Sequence, residues 1–159
     1  MASSSFTPPQ WEYDVFLSFR GKDTRYGFVN NLFEALCREQ INTFIDENLD
    51  RGEEVSLALL QTIAKSRISI VIFSENYADS PWCLDELVKI TDCRKLMGQI
   101  VLPVFYEINP TDVQELTGSY RDALLKHQKK LFKDCTIERW GQALKETSEM
   151  SGFVSWNIK

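Results

Sequence analysis

Apolar positions fall in short blocks along this chain, and the spacing inside each block assigns it. Tyr13 to Phe19 (YDVFLSF) is rich in aromatic and β-branched residues, which predicts a buried strand. Arg20-Gly21-Lys22-Asp23 breaks it. From Thr24 to Gln40 the positions Phe28, Leu32, Ala35 and Leu36 recur at helical spacing. Ile41 to Ile45 (INTFI) predicts a second strand, and Asp46 to Glu54 a charged loop. Val55 to Lys65 returns to helix, with Leu57, Leu60, Ile63 and Ala64 on one face. Ile68 to Phe73 (ISIVIF) is almost wholly apolar, as strands covered on both faces of a parallel sheet are. Ser74 to Ser80 is a loop. Pro81 to Leu96 predicts a helix, with Ser80 as N-cap and proline in the first turn. Gln99 to Tyr106 (QIVLPVFY) is a fourth strand, in which Pro103 points to an edge or irregular position. Thr111 to Lys130 is helical with a break near Gly118, and Ile137 to Met150 is a final helix. A fifth strand has little signal.

Alternating strands and helices predict an α/β domain with a parallel sheet. In such sheets ligands lie outside the carboxyl ends of the strands. Three polar segments follow strand ends: the Arg20 loop, residues 46–54, and the loop from Ser74 into Ser80-Pro81-Trp82-Cys83-Leu84-Asp85-Glu86-Leu87.

Composition narrows the chemistry. The 159 residues suffice for one domain, and the formal net charge of −5 argues against nonspecific binding to nucleic acid or anionic membrane. No apolar run is long enough for a membrane helix. The four cysteines, Cys37, Cys83, Cys93 and Cys135, form no C-x-x-C pair and read as reduced thiols. His127 is the single histidine, which excludes a His-rich metal site. Neither a G-x-G-x-x-G turn nor a P-loop is present. Residues 1–10 read as a disordered tail, and residues 156–159 as a short C-terminal one.

Trp82 and Glu86 are four apart, so on a helix they share a face. An indole there partly desolvates a carboxylate and offers a stacking surface. Acids near a helix N-terminus are also favoured by the dipole. From spacing alone, Asp85 and Glu86 with a core-filling Trp82 is the stronger account. Arg20-Gly21 either holds phosphate or forms a turn whose arginine pairs with an acid such as Asp23. The basic run Lys126 to Lys130, with Lys133, reads as a solvated helix face. Cys83 and Cys93 read as core residues.

The assembled motifs resemble a plant TIR domain (Toll/interleukin-1 receptor-like), the N-terminal module of intracellular NLR-type immune receptors. The matching stretches are YDVFLSFRGKDTR, INTFIDENLDRGEE, SRISIVIFSENYADSPWCLDELVKI and GQIVLPVFYEINPTDV, then Trp140, Ala143-Leu144 and Ser151-Gly152. They run in order over residues 11–155. The resemblance implies a flavodoxin-like α/β fold, a three-layer sandwich about a five-stranded parallel sheet. It implies cleavage of NAD+ between nicotinamide and ribose, with NAD+ as substrate and no cofactor or metal. It assigns the catalytic role to Glu86 and substrate contacts to Arg20, Gly21, Ser80 and Trp82. It makes residues 46–54, with Asp46, Asp50, Arg51, Gly52 and Glu53, a gating loop. It implies activation by self-association with other TIR domains through the first and last helices, involving Asn30, Asn31 and Trp140. Asn30-Asn31 replaces a Ser-His pair common among relatives, and Lys22 replaces a usual glutamate. The implied setting is the cytoplasm or nucleus. Downstream, lipase-like immune signalling proteins would respond to the small-molecule products, and no membrane or nucleic-acid partner is expected. The alternative is a non-catalytic scaffold that signals by TIR–TIR contact.

Overall fold

β1 (Tyr13–Ser18) and β3 (Ser66–Phe73) pair in parallel at the centre of a five-stranded sheet. β2 (Thr43–Ile45) flanks β1, while β4 (Ile100–Phe105) and then β5 (Phe153–Val154) extend the other side, giving the order β2-β1-β3-β4-β5. All pairs are parallel. A computed structural model describes residues 11–45, 57–130 and 132–155, with the backbone alone for Lys22, Arg25 and Tyr26.

Side chains alternate across the strands and divide the core in two. Phe16, Val71, Phe73, Val101 and Phe105 face one side. Val15, Leu17, Ile70, Ile72 and Val104 face the other. The second side is covered by a helical segment made of α1 (Gly21–Thr24), a π-helical turn (Arg25–Val29) and α2 (Asn30–Arg38). The first is covered by α3 (Leu57–Ala64), α4 (Pro81–Met97), α5 (Pro110–Gln114), α6 (Gly118–Lys129) and α7 (Asp134–Ser148). This is the three-layer, flavodoxin-like arrangement.

Several local readings change. The segment after β1 is not a loop: Gly21 already opens a helical turn, and Thr24 closes it by donating to the Arg20 carbonyl at 3.1 Å. On α3 Leu60, Ile63 and Ala64 face the core as expected and Leu59 joins them, while Leu57 is 71% exposed. β4 is not an edge strand, for it pairs with β3 on one side and β5 on the other, although Pro103 itself stands outside the β5 ladder. Residues of a parallel strand bond alternately to either neighbour. Tyr106 N–H donates to Phe73 of β3 at 2.8 Å, so Pro103, of the other parity, turns its missing donor toward the β5 side. There Gly152 approaches so closely that a Cβ would collide with the Pro103 carbonyl oxygen.

The placement of α7 has a larger consequence. It is the crossover between β4 and β5, and right-handed crossover puts it on the α4 face. α2 lies on the opposite face. A single surface made jointly by these two helices, as the resemblance suggested, is therefore not formed.

Candidate active site

α4 aims the principal side chains, and its start is fixed by sequence. Ser80 has extended backbone and its Oγ accepts from Cys83 N–H at 3.2 Å; Pro81 occupies the first turn. Such a cap is worth about 1 kcal/mol. Gly98, in the left-handed region with φ of 69°, ends the helix. Trp82 and Glu86 thus lie one turn apart just outside the carboxyl end of β1.

Glu86 is 4% exposed, and both its oxygens are held. Ser18 Oγ, at the last position of β1, donates to Oε1 at 2.9 Å. Trp82 Nε1–H donates to Oε2 at 3.0 Å. Behind Ser18, the Tyr77 hydroxyl lies 2.8 Å from Ser18 Oγ and 3.2 Å from the Cys83 carbonyl. Tyr77 is fully buried, and burial, with Cys83 and Glu86 nearby, pushes its phenol well above the ordinary value of 10, so it remains an O–H donor. Asp85 and Glu86, adjacent in sequence, serve different surroundings. Asp85 accepts from Trp140 Nε1 at 2.9 Å and lines a cleft of about 380 Å³ between α3, α4 and α7.

The turn that carries Tyr77 is tied on several sides. The Asp23 carboxylate accepts from Ser74 Oγ at 2.6 Å and from Asn76 N and Nδ2 at 2.8 Å each, joining the segment after β1 to the segment after β3. His127 Nε2 lies 2.8 Å from the Ala78 carbonyl, and Lys126 pairs with Asp79 at 3.1 Å. Burial alone would raise the Asp79 carboxyl, but the Lys126 hydrogen bond and charge, aided by Arg20, hold it below its usual value. Arg20 therefore places positive charge beside this turn.

The remaining expected site residues are distributed unevenly. Gly21 is buried at the first position of α1. Ser80 is 5% exposed and committed to its cap. Asn30 and Asn31 are exposed on α2. Trp140 is 2% exposed among Phe132 and His127, so it supports α7 from inside rather than presenting a surface. His127 does not belong to the solvated basic face: it is 2% exposed. Asp46, Asp50, Arg51, Gly52 and Glu53 lie outside the described residues. Ser18 and Tyr77 were missed by sequence reading; the signal was a lone serine inside an apolar strand, of the same parity as inward-facing Phe16.

The profile of the family described as "TIR domain" matches residues 12–159. The chain belongs to the TIR domain family. This TIR domain is 48% identical over 155 residues to Disease resistance protein RPV1 of Vitis rotundifolia, covering 96% of the chain and 11% of that protein. It is 44% identical over 154 residues to TMV resistance protein N of Nicotiana glutinosa, covering 96% of the chain and 13% of that protein. The chain thus spans only a small fraction of these relatives. Its fold superposes with a TM-score of 0.85 on the TIR domains of the activated Roq1 resistosome that directly recognises the pathogen effector XopQ. That pair shares 41% identity over 93% of this chain and 92% of the other. Among the described residues no helix is long and apolar enough to cross a membrane.

Proposed function

We propose that this TIR domain is an NAD+ nucleosidase that acts as the signalling module of a plant immune receptor and is switched on by self-association. The observation that carries this reading is a buried carboxylate, Glu86, gripped through both oxygens at the carboxyl edge of the sheet and walled by an indole. In NAD+ the bond from ribose C1′ to the pyridinium nitrogen breaks. Its electron pair leaves with nicotinamide, which departs as a neutral ring and needs no proton. The second carboxylic acid of ordinary glycosidases is therefore unnecessary. Glu86 stabilises the positive charge that grows on the ribosyl centre and orients the ribose hydroxyls. Water adds its oxygen to C1′ and loses a proton, giving ADP-ribose; capture by a group within the molecule gives cyclic or variant products. Trp82 supplies the wall, and Arg20 the positive charge that draws the diphosphate.

Plant resistance proteins among the relatives, and a resistosome among the similar structures, support the signalling role. The exposed Asn30 and Asn31 on α2 remain the proposed contact with a second TIR domain. The products would act on lipase-like immune proteins in the cytoplasm or nucleus. The test is nicotinamide release from NAD+ at high protein concentration with a crowding agent, wild type beside Glu86→Ala. Release by wild type alone supports the enzyme. Equal release by both moves the chemistry to another residue. Release by neither favours a scaffold that works by TIR–TIR contact.

A further inference from the structure

Hydrogen counting gives the Tyr77–Ser18–Glu86 chain a direction. An ionised carboxylate has no proton to donate, so the single Ser18 proton goes to Glu86 Oε1 at 2.9 Å. Ser18 Oγ then faces Tyr77 OH as an acceptor, and the phenol proton turns to it at 2.8 Å, with the Cys83 carbonyl at 3.2 Å as its alternative acceptor. Ser18 and Tyr77 are both 0% exposed, so neither meets solvent or the ligand edge of the site. The relay joins β1, the turn after β3 and the first turns of α4. These three segments are distant in sequence: Ser18 and Glu86 are 68 residues apart.

We propose that Ser18 and Tyr77 are positioning residues that lock the Glu86 carboxylate plane before a ligand arrives. The role rests on the nucleosidase reading for its effect on rate, and on geometry alone for the relay itself. Two donors on opposite oxygens leave the carboxylate one orientation. Removal of the Ser18 donor releases Oε1 and loosens the aim of the carboxylate, and a misaimed group loses transition-state stabilisation more than binding. Tyr77 acts one step behind, by holding Ser18 in the donating rotamer. The titratable groups nearby are Tyr77 and Cys83, Tyr120 from α6 with Asp23 beyond it, and Arg20, Asp79 and His127 about the 77–79 turn. Ser18→Ala alters none of their charges.

The experiment uses Ser18→Ala, Tyr77→Phe and the double variant. Its first readout is the Trp82 Nε1–H resonance, identified by its loss in Trp82→Phe and followed against pH. That proton points at Oε2, 3.0 Å away, and so reports the ionisation of Glu86. Hydrogen bonds to a charged carboxylate keep it charged to lower pH. Ser18→Ala is expected to raise the midpoint by about one pH unit, Tyr77→Phe to raise it less, and the double variant no further than Ser18→Ala. The second readout is nicotinamide release, expected to lose about tenfold in kcat with KM within about twofold. An unmoved midpoint in a well-dispersed Ser18→Ala spectrum overturns the relay. So does a double variant whose shift is the sum of the singles, since independent contacts would give it. Should Ser18→Ala not fold, an unmoved midpoint in Tyr77→Phe overturns it equally. A midpoint moved in Ser18→Ala, beside a wild-type protein that releases no nicotinamide, supports the relay and overturns the reaction.

Discussion

Glu86→Gln separates the charge of this residue from its place in the fold. Glutamine keeps the shape but has one acceptor and one donor end. With its oxygen toward Trp82 Nε1, the indole stays satisfied. Its amide nitrogen then faces Ser18 Oγ, which turns to accept and donates to Tyr77 instead; Tyr77 in turn donates to the Cys83 carbonyl, already 3.2 Å away. The chain reverses with one amide N–H left over, so stability is expected to fall by about 1 kcal/mol. Glu86→Ala strips the acceptor from Trp82 and opens a void. Ser18 can turn its proton to Tyr77 here too, so one orphaned donor, the partly exposed Trp82 indole, and the void left by the side chain together give a loss of about 3 kcal/mol. In a domain of this size that is roughly 6–12 °C in Tm, against less than about 4 °C for the glutamine variant. Both variants are expected to lose NAD+ cleavage by on the order of 10³-fold, because neither offers a negative charge to the ribosyl cation. Thermal melting and nicotinamide release on the same samples read both quantities. A glutamine variant within tenfold of wild-type turnover refutes the role of the charge. One that melts as low as the alanine variant refutes the reversible relay.

Three further substitutions probe the frame. Gln99 is buried and its amide donates to the Ile63 and Ser66 carbonyls at 2.7 and 2.6 Å while accepting from Ser69 at 2.9 Å. Gln99→Leu should cost about 3 kcal/mol by chemical denaturation, yet leave turnover of the folded protein unchanged, since this cluster lies at the amino ends of the strands. Gly152→Ala drives a methyl group into the Pro103 carbonyl, and should lower stability by about 2–3 kcal/mol in the same assay. Burial lowers the His127 imidazole below its ordinary 6.5, against the opposing pull of the Ala78 carbonyl. The unfolded chain therefore binds the proton first: this contribution is whole above about pH 6.5 and is lost as the pH falls toward the lower folded value. Tm should decline between pH 7 and 5, and His127→Gln should flatten that decline; an unchanged slope would place the effect elsewhere.

Much of this was legible because local chemistry and tertiary demand agree. Ser80-Pro81 reads as a helix start and is one, and the ISIVIF run reads as a central strand and is one. The failures have physical causes. Gly21 to Asp23 looks like a breaker, yet the turn is held by Thr24 on the Arg20 carbonyl and by loop donors on Asp23, none of them visible in periodicity. His127 stands in a basic run, but helical geometry turns it inward onto Trp140 and Phe132 while Lys126 and Lys129 stay out. β5 is two residues long and leans on a glycine–proline contact, which no strand pattern encodes. The spacing set Glu86 beside the indole one turn before it, and only the resemblance gave it a catalytic role. Ser18 and Tyr77 were not found, because their value arises only when β1 and the turn after β3 meet.

The strand order also has a history in time. β1 precedes the other four strands of this sheet in sequence, yet it lies between two of them and cannot be completed by its neighbour in sequence alone. Parallel pairing needs a crossover, so β1 waits for β3, some fifty residues later. Until then a nascent chain carries an aromatic strand without its main partner. Once ISIVIF emerges, a second sticky segment must find the first before it finds another chain. The cradle for Glu86 closes later still, when α4 docks. The Glu86 carboxylate therefore meets its Ser18 donor only after β3 and α4 have joined a strand made some seventy residues earlier, and never while β1 stands alone.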